Sequence, residues 1–193
     1  MTLRIDVAER SLASLDALAA DSLAVWVGPE RPLRGLASLV DWRMCGALSR
    51  AIRTGQFTPE AGEALLLPAA GRLPVGRVFC FGLTAAVLDS VRFGEAARRV
   101  AGDMARAGSR AFATSLPPCR EGPIPAARLW LEASLGRPDI RQLLLGDPRA
   151  LARELAIAAQ AIGASIDVVV AGPPPVPPPV RSAGLPVRDA VLR

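Results

Sequence analysis

The sequence predicts a three-layer α/β/α sandwich, on three observations. Strand-like and helix-like patterns alternate along the first 172 residues, the order that lays helices over a sheet. Residues 64–68 and 78–83 are continuous apolar runs. Strands of that kind are covered on both faces, which calls for helices above and below. Residues 36–53 and 93–107 repeat apolar side chains at helical spacing, so each buries one face.

Residues 3–7 alternate apolar and polar side chains and open the fold as a strand. A short helical turn over 12–19 leads into a second strand, 22–27. Gly28, Pro29 and Pro32 end it, because proline cannot donate to a ladder and glycine frees the turn. Leu36, Leu39, Val40, Met44, Leu48 and Ile52 mark one amphipathic helix over 36–53, with Gly55 as its left-handed cap. The strands at 64–68 and 78–83 flank a turn, 70–76, that holds Gly71, Pro74 and Gly76. In the helix at 93–107, Phe93, Ala97, Val100 and Met104 face inward, while Arg98, Arg99, Asp103 and Arg106 face out. Gly108 ends it. A strand at 110–115 stops at Pro117 and Pro118. Helices at 126–135 and 148–162 follow, the second capped by Asp147 with Pro148 in its first turn. The last strand is 166–171.

Composition excludes much chemistry. All 23 basic side chains are arginine, and there is no lysine, histidine, tyrosine or asparagine. Histidine and lysine are the usual proton carriers and amine nucleophiles near neutral pH, and arginine stays protonated. Ser115 and Ser165 therefore lack an activating base, and no hydrolase triad of the usual kind can be built. Glu60 and Glu63 read as turn or first-turn charges rather than an acid/base pair. Cys45, Cys80 and Cys119 are far apart and form no CxxC pair, so neither a zinc site nor another metal or cofactor is expected. Cys45 and Cys80 read as small core residues and Cys119 as a loop residue. The net charge of +5 is dispersed among 18 acids; nucleic acid is thus a secondary expectation. No apolar run spans a membrane and the start is charged, so a cytoplasmic, reduced setting is expected.

The ordered series within residues 36–83 resembles the N-terminal domain of the leucyl aminopeptidases, the M17 peptidases. Leu39, Val40, Asp41 and Trp42 precede Gly46, Ala47 and Leu48. Gly55, Gln56 and Phe57 follow, then Gly62 to Leu67, then a strand running from Val78 to Gly82 and Leu83. Thr84 stands where the family usually has a last glycine. The resemblance extends by element order to residues 1–172 and implies a macro-domain-like fold with a mixed central sheet. It does not imply the peptidase. In that family the metal ligands and catalytic groups, two lysines among them, belong to a separate domain, and no residue here matches them.

Beyond Gly172, Pro173, Pro174, Pro175, Val176, Pro177, Pro178 and Pro179 predict a polyproline II spacer. The chain thus divides into a domain, 1–172, and a Pro-rich extension, 173–193. The extension is either an unstructured tail or a tether that delivers a docking segment. In the second case Leu185, Val187, Val191 and Leu192 are its anchors, and Arg188 and Arg193 supply charge. Within the domain, Gly82, Leu83 and Thr84 end a buried strand, where ligands bind in open α/β sheets, and Thr84 is placed to donate to a phosphate. No glycine-rich phosphate loop follows. Trp42 is expected to pack into the core with Asp41 satisfying a backbone group; a ligand role for the pair is the alternative. The leading expectation is a non-catalytic module that assembles with itself or another protein. A macro-like domain binding ADP-ribose or a related nucleotide is the alternative, and DNA binding a further one.

Overall fold

Residues 2–172 are described by the computed structural model. In chain order they form β1 (Leu3–Glu9), α1 (Leu12–Asp16), β2 (Ser22–Val27), α2 (Gly35–Arg43), α3 (Ala47–Arg53), β3 (Ala64–Pro68) and β4 (Arg77–Gly82). After these come α4 (Ser90–Arg106), β5 (Ala111–Thr114), α5 (Pro123–Ser134), β6 (Arg141–Gly146), α6 (Pro148–Ile162) and β7 (Ile166–Val170). The extension, with Leu185, Val187, Arg188, Val191 and Leu192, lies outside the described residues. Among the described residues no helix is long and apolar enough to cross a membrane.

The strands make one sheet in the order β3-β4-β2-β5-β6-β1-β7. Six run parallel, and only β3 is antiparallel to its neighbour. The sheet is mixed, as expected, and both faces are covered. On one face α4, α5 and α6 press Phe93, Trp130, Leu131 and Leu155 onto Ile5, Phe112 and Leu144. On the other, α1, α2 and α3 press Leu15, Leu36, Val40 and Leu48 onto Leu23, Val25, Val78 and Cys80. Each large apolar side chain so buried contributes about 1.5–3 kcal/mol. Trp130 is fully buried, and its Nε1 donates to Gln142 Oε1 at 2.8 Å, so the one polar atom of the indole is satisfied.

The strands and helices fall close to their sequence-predicted bounds, with corrections. Residues 64–68, expected to be covered on both faces, form β3 at the edge of the sheet, where Ala64, Leu66 and Pro68 are exposed because one side of the strand has no neighbour. The single helix expected over 36–53 is two. Cys45 (φ 52°) and Gly46 (φ 75°) both adopt the left-handed conformation, which breaks the helical ladder. Gly46 N–H donates to Asp41 O at 2.8 Å and closes α2. The Asp41 carboxylate then accepts from Ser49 N at 3.0 Å and Ser49 Oγ at 2.5 Å, capping α3, whose own N-cap glycine has no side chain to do so.

Trp42 does not enter the core: it is 64% exposed. Two positions past the buried Val40, it lies about 200° round the helix, on the opposite face. Cys45, at the corner, is exposed as well, whereas Cys80 is buried as expected. A last correction is β6, for which the sequence pattern gave no strand. It sits between β5 and β1, near the middle of the parallel set.

Candidate binding crevice

All six parallel strands end on one edge of the sheet, and that edge opens between β2 and β5. These two strands pair only at Ser22↔Phe112 and Leu23↔Ala113, then splay apart toward their carboxyl ends. Chain connections part here too, β2 leading toward β4 on one side and β5 toward β6 on the other. Ligands of open α/β sheets bind at such a switch point. Trp26, near the end of β2, reaches across the gap, and its Nε1 donates to Ser115 O at 2.7 Å. Its ring packs against Phe81 at 6.0 Å between centroids.

Two cavities meet at Trp26 and Leu83. One, of about 350 Å³, lies between the ends of β2 and β5 and is bordered by Arg10, Glu30, Arg34, Gly35 and Ser115. Arg34 is the N-cap of α2 and makes no side-chain capping bond. The first-turn N–H groups of that helix thus have no side-chain cap, and Gly35, Leu36 and Ala37 border the cavity. Gly35 takes φ 59°, a conformation glycine adopts without strain.

The other cavity, of about 400 Å³, lies between the end of β4 and α4 and is bordered by Phe81, Thr84, Leu88, Arg92, Glu95 and Arg99. Arg99 donates to Gly62 O and lies 3.5 Å from the Asp103 carboxylate. Arg92 lies 3.7 Å from the Asp89 carboxylate, which also accepts from Arg92 N at 2.9 Å and so caps α4. Behind the cavities, Leu88 N–H donates to Pro118 O at 2.9 Å and Arg120 N–H to Leu88 O at 2.8 Å. These two bonds tie the loop after β4 to the loop after β5.

Gly82, Leu83 and Thr84 all border the second cavity. Gly82 and Leu83 are buried and Thr84 is exposed, so Thr84 alone of the three presents its side chain to solvent. Gly82 is glycine for a steric reason. A Cβ there would fall 2.9 Å from the Glu60 carbonyl carbon, and nearer still to its oxygen and nitrogen. Asp41 and Trp42 lie elsewhere, on the outer side of α2, bordering a third, open depression. Sequence reasoning missed Trp26, Arg10, Arg34, Arg92 and Arg99. Only Trp26 carried a signal, as a bulky aromatic beside the Gly28-Pro29 strand end.

The nearby titratable groups are modest. Burial raises the Cys119 thiol above its ordinary value, helped by its hydrogen bond to Glu121 Oε2 at 3.1 Å. That same bond holds the Glu121 carboxyl below its ordinary range. Among the described residues, no three Cys, Asp or Glu side chains gather as a metal site.

No protein-family model matches the sequence, and no curated protein matches it. Solved structures do. Tomato leucine aminopeptidase superposes with a TM-score of 0.56 at 16% identity, over 84% of this chain and 37% of that one. This chain therefore spans well under half of the aminopeptidase. A Trypanosoma brucei macrodomain in complex with ADP-ribose gives 0.59 at 13% identity, over 80% of this chain and 68% of that one. The macrodomain of Mycobacterium tuberculosis DarG gives 0.53 at 12% identity, over 72% and 97%. The fold is macro-domain-like, the form shared with leucine aminopeptidase, as the sequence resemblance implied. Identities this low show the fold alone.

Proposed function

We propose that this chain is a non-catalytic binding module whose crevice takes a phosphate-bearing nucleotide of the ADP-ribose type. The observation that carries the reading is the gap between β2 and β5, bordered by Arg10, Arg34 and the uncapped first turn of α2. Helix N-termini favour phosphate through free N–H groups and the helix dipole, and guanidinium groups pair with phosphate in bidentate fashion. Trp26 and Leu83 form an apolar partition suited to one face of a base or ribose. The Trypanosoma brucei macrodomain, similar in fold, is seen in complex with ADP and with ADP-ribose. The non-catalytic part of the reading rests on a chain with no histidine or lysine to move protons near neutral pH.

Titration calorimetry with ADP-ribose tests it. Saturable binding is expected, weakened about tenfold or more by Arg34→Ala, as loss of a charged hydrogen-bonding partner implies. Neither heat nor a thermal shift at millimolar ligand refutes the reading.

A second reading, assembly with a protein partner or with itself, is favoured by the exposed indole of Trp42. Tryptophan at a surface is the residue type that anchors protein interfaces. Light scattering on the full chain, and pull-down with and without residues 173–193, test it. A monomer that retains no partner in either form removes this reading and leaves the crevice untouched.

A further inference from the structure

The α2–α3 corner carries a charge and shape pattern that neither cavity of the crevice explains. Trp42 is exposed and borders an open depression of about 830 Å³. The Arg43 guanidinium stacks 5.0 Å from its ring centroid, which holds the indole in place. Arg31 and Arg72 border the same depression, and Arg50 donates to Cys45 O at its edge. Among the described residues Arg31, Arg50 and Arg72 have no carboxylate within 4.0 Å, whereas Arg43 at the same depression pairs with Asp16 and seven further such pairs lie elsewhere. Their hydrogen bonds go to carbonyl oxygens and a thiol: Arg31 to Gly28 O and Glu30 O, and Arg72 Nη1 to Cys45 Sγ at 2.7 Å. Arg31 and Arg72 thus share the depression with one exposed aromatic, and Arg50 stands at its edge, none of the three paired with a carboxylate.

We infer that this corner docks an acidic linear segment of a partner protein, with an apolar side chain of the segment on Trp42 and its carboxylates on Arg31, Arg50 and Arg72. Charge complementarity selects the sign of the partner, and the tryptophan and arginines are the residue types that concentrate binding energy at interfaces. A peptide fits better than a nucleic-acid strand for two reasons. Single strands bind by stacking successive bases on several aromatics, and Trp42 is the only tryptophan of the three that is exposed. The Asp41 carboxylate also borders the depression and Asp16 pairs with Arg43, where a continuous run of phosphates meets repulsion. The inference rests on the assembly reading, which it deepens by naming the surface and the partner's chemistry; it is independent of nucleotide binding in the crevice.

The test is selection from a random-peptide display library on the full chain, followed by binding of the selected peptides to purified variants. Enriched peptides should be acidic with at least one large apolar residue. They should quench the red-shifted emission of Trp42 and slow alkylation of Cys45, the exposed one of the three cysteines. Trp42→Ala and Arg72→Glu should each weaken them about 30-fold or more, the scale of a lost hot spot. Both residues are at the surface, and unchanged melting confirms that each variant is folded. Peptides without acidic bias, binding that survives both substitutions, or stronger competition by an oligothymidylate strand than by the peptides overturns the inference. Association seen by light scattering that survives both substitutions also overturns it while leaving the assembly reading standing.

Discussion

Gly82→Ala tests how the crevice wall is built. Gly82 has no positive φ, so alanine meets no backbone strain there and the cost is purely steric. The new Cβ would come within 2.9 Å of Glu60 backbone atoms, so residues 58–63 must retreat by about 1 Å to reach ordinary contact. Overpacking of that kind costs about 1–3 kcal/mol. The retreat also strains Gly82 N–H to Glu63 O at 3.1 Å and the bond from Arg99 to Gly62 O. Each adds up to about 1 kcal/mol if lost. The total expected is about 2–4 kcal/mol, read as a lower urea midpoint with an unchanged m-value. Gly136→Ala is the control: its Cβ would meet open space and φ is ordinary, so the change should stay within about 0.5 kcal/mol. If Gly82→Ala is as mild as the control, residues 58–63 do not rest on β4 and the wall of the second cavity is misassigned.

Trp130→Ala should cost about 3–5 kcal/mol in chemical denaturation, because it empties the centre of the α5 layer and leaves the Gln142 carbonyl with Ser134 Oγ as its remaining side-chain partner. Asp21 predicts an acid effect. Burial acts to raise its pKa, but hydrogen bonds from Ser22 Oγ, Arg110 N, Ala111 N and Ser109 outweigh it and hold the carboxyl below 3.8. A lowered folded pKa gives stability that is present above the unfolded value and lost as pH falls through the folded one. Asp21→Asn should therefore flatten the loss of melting temperature below about pH 4; a parallel acid limb would contradict the assignment. Alkylation at mildly alkaline pH should modify Cys45 first and Cys119 more slowly. Cys80 should react only on unfolding, since burial, with the Asp41 charge adding, pushes its thiol up to about 12. Mass spectrometry of partially labelled protein reads the order.

The parallel strands other than β6, and the faces of α4 and α6, were legible because covered strands and amphipathic helices leave periodic traces. Phe93, Ala97, Val100 and Met104 are buried as their spacing requires, and Asp147 caps α6 through Arg149 N and Ala150 N. The helix break was hidden because Met44 and Leu48 stay buried across it; Gly46 was its one trace. The phase of α2 did place Trp42 opposite Val40, and assuming that tryptophan belongs inside overrode it. β6 escaped because it opens with Arg141 and Gln142. The burial of Gln142 depends on Trp130 and Ser134, partners that only the folded chain brings near. Strand-end logic placed Thr84 and its neighbours at the end of β4, where they border the second cavity. The arginines at the crevice come from separate loops and helices, and no local pattern joins them.

The two-pair ladder between β2 and β5 has a mechanical corollary. It divides seven strands into a block of three and a block of four, joined by the shortest ladder in the sheet. Breathing of the native protein should begin there, and amide exchange at Ala24 and Ala113 should outpace exchange at the β1–β6 ladder. A molecule lodged across that seam would act as a clasp, and the exchange rates of both blocks would slow together.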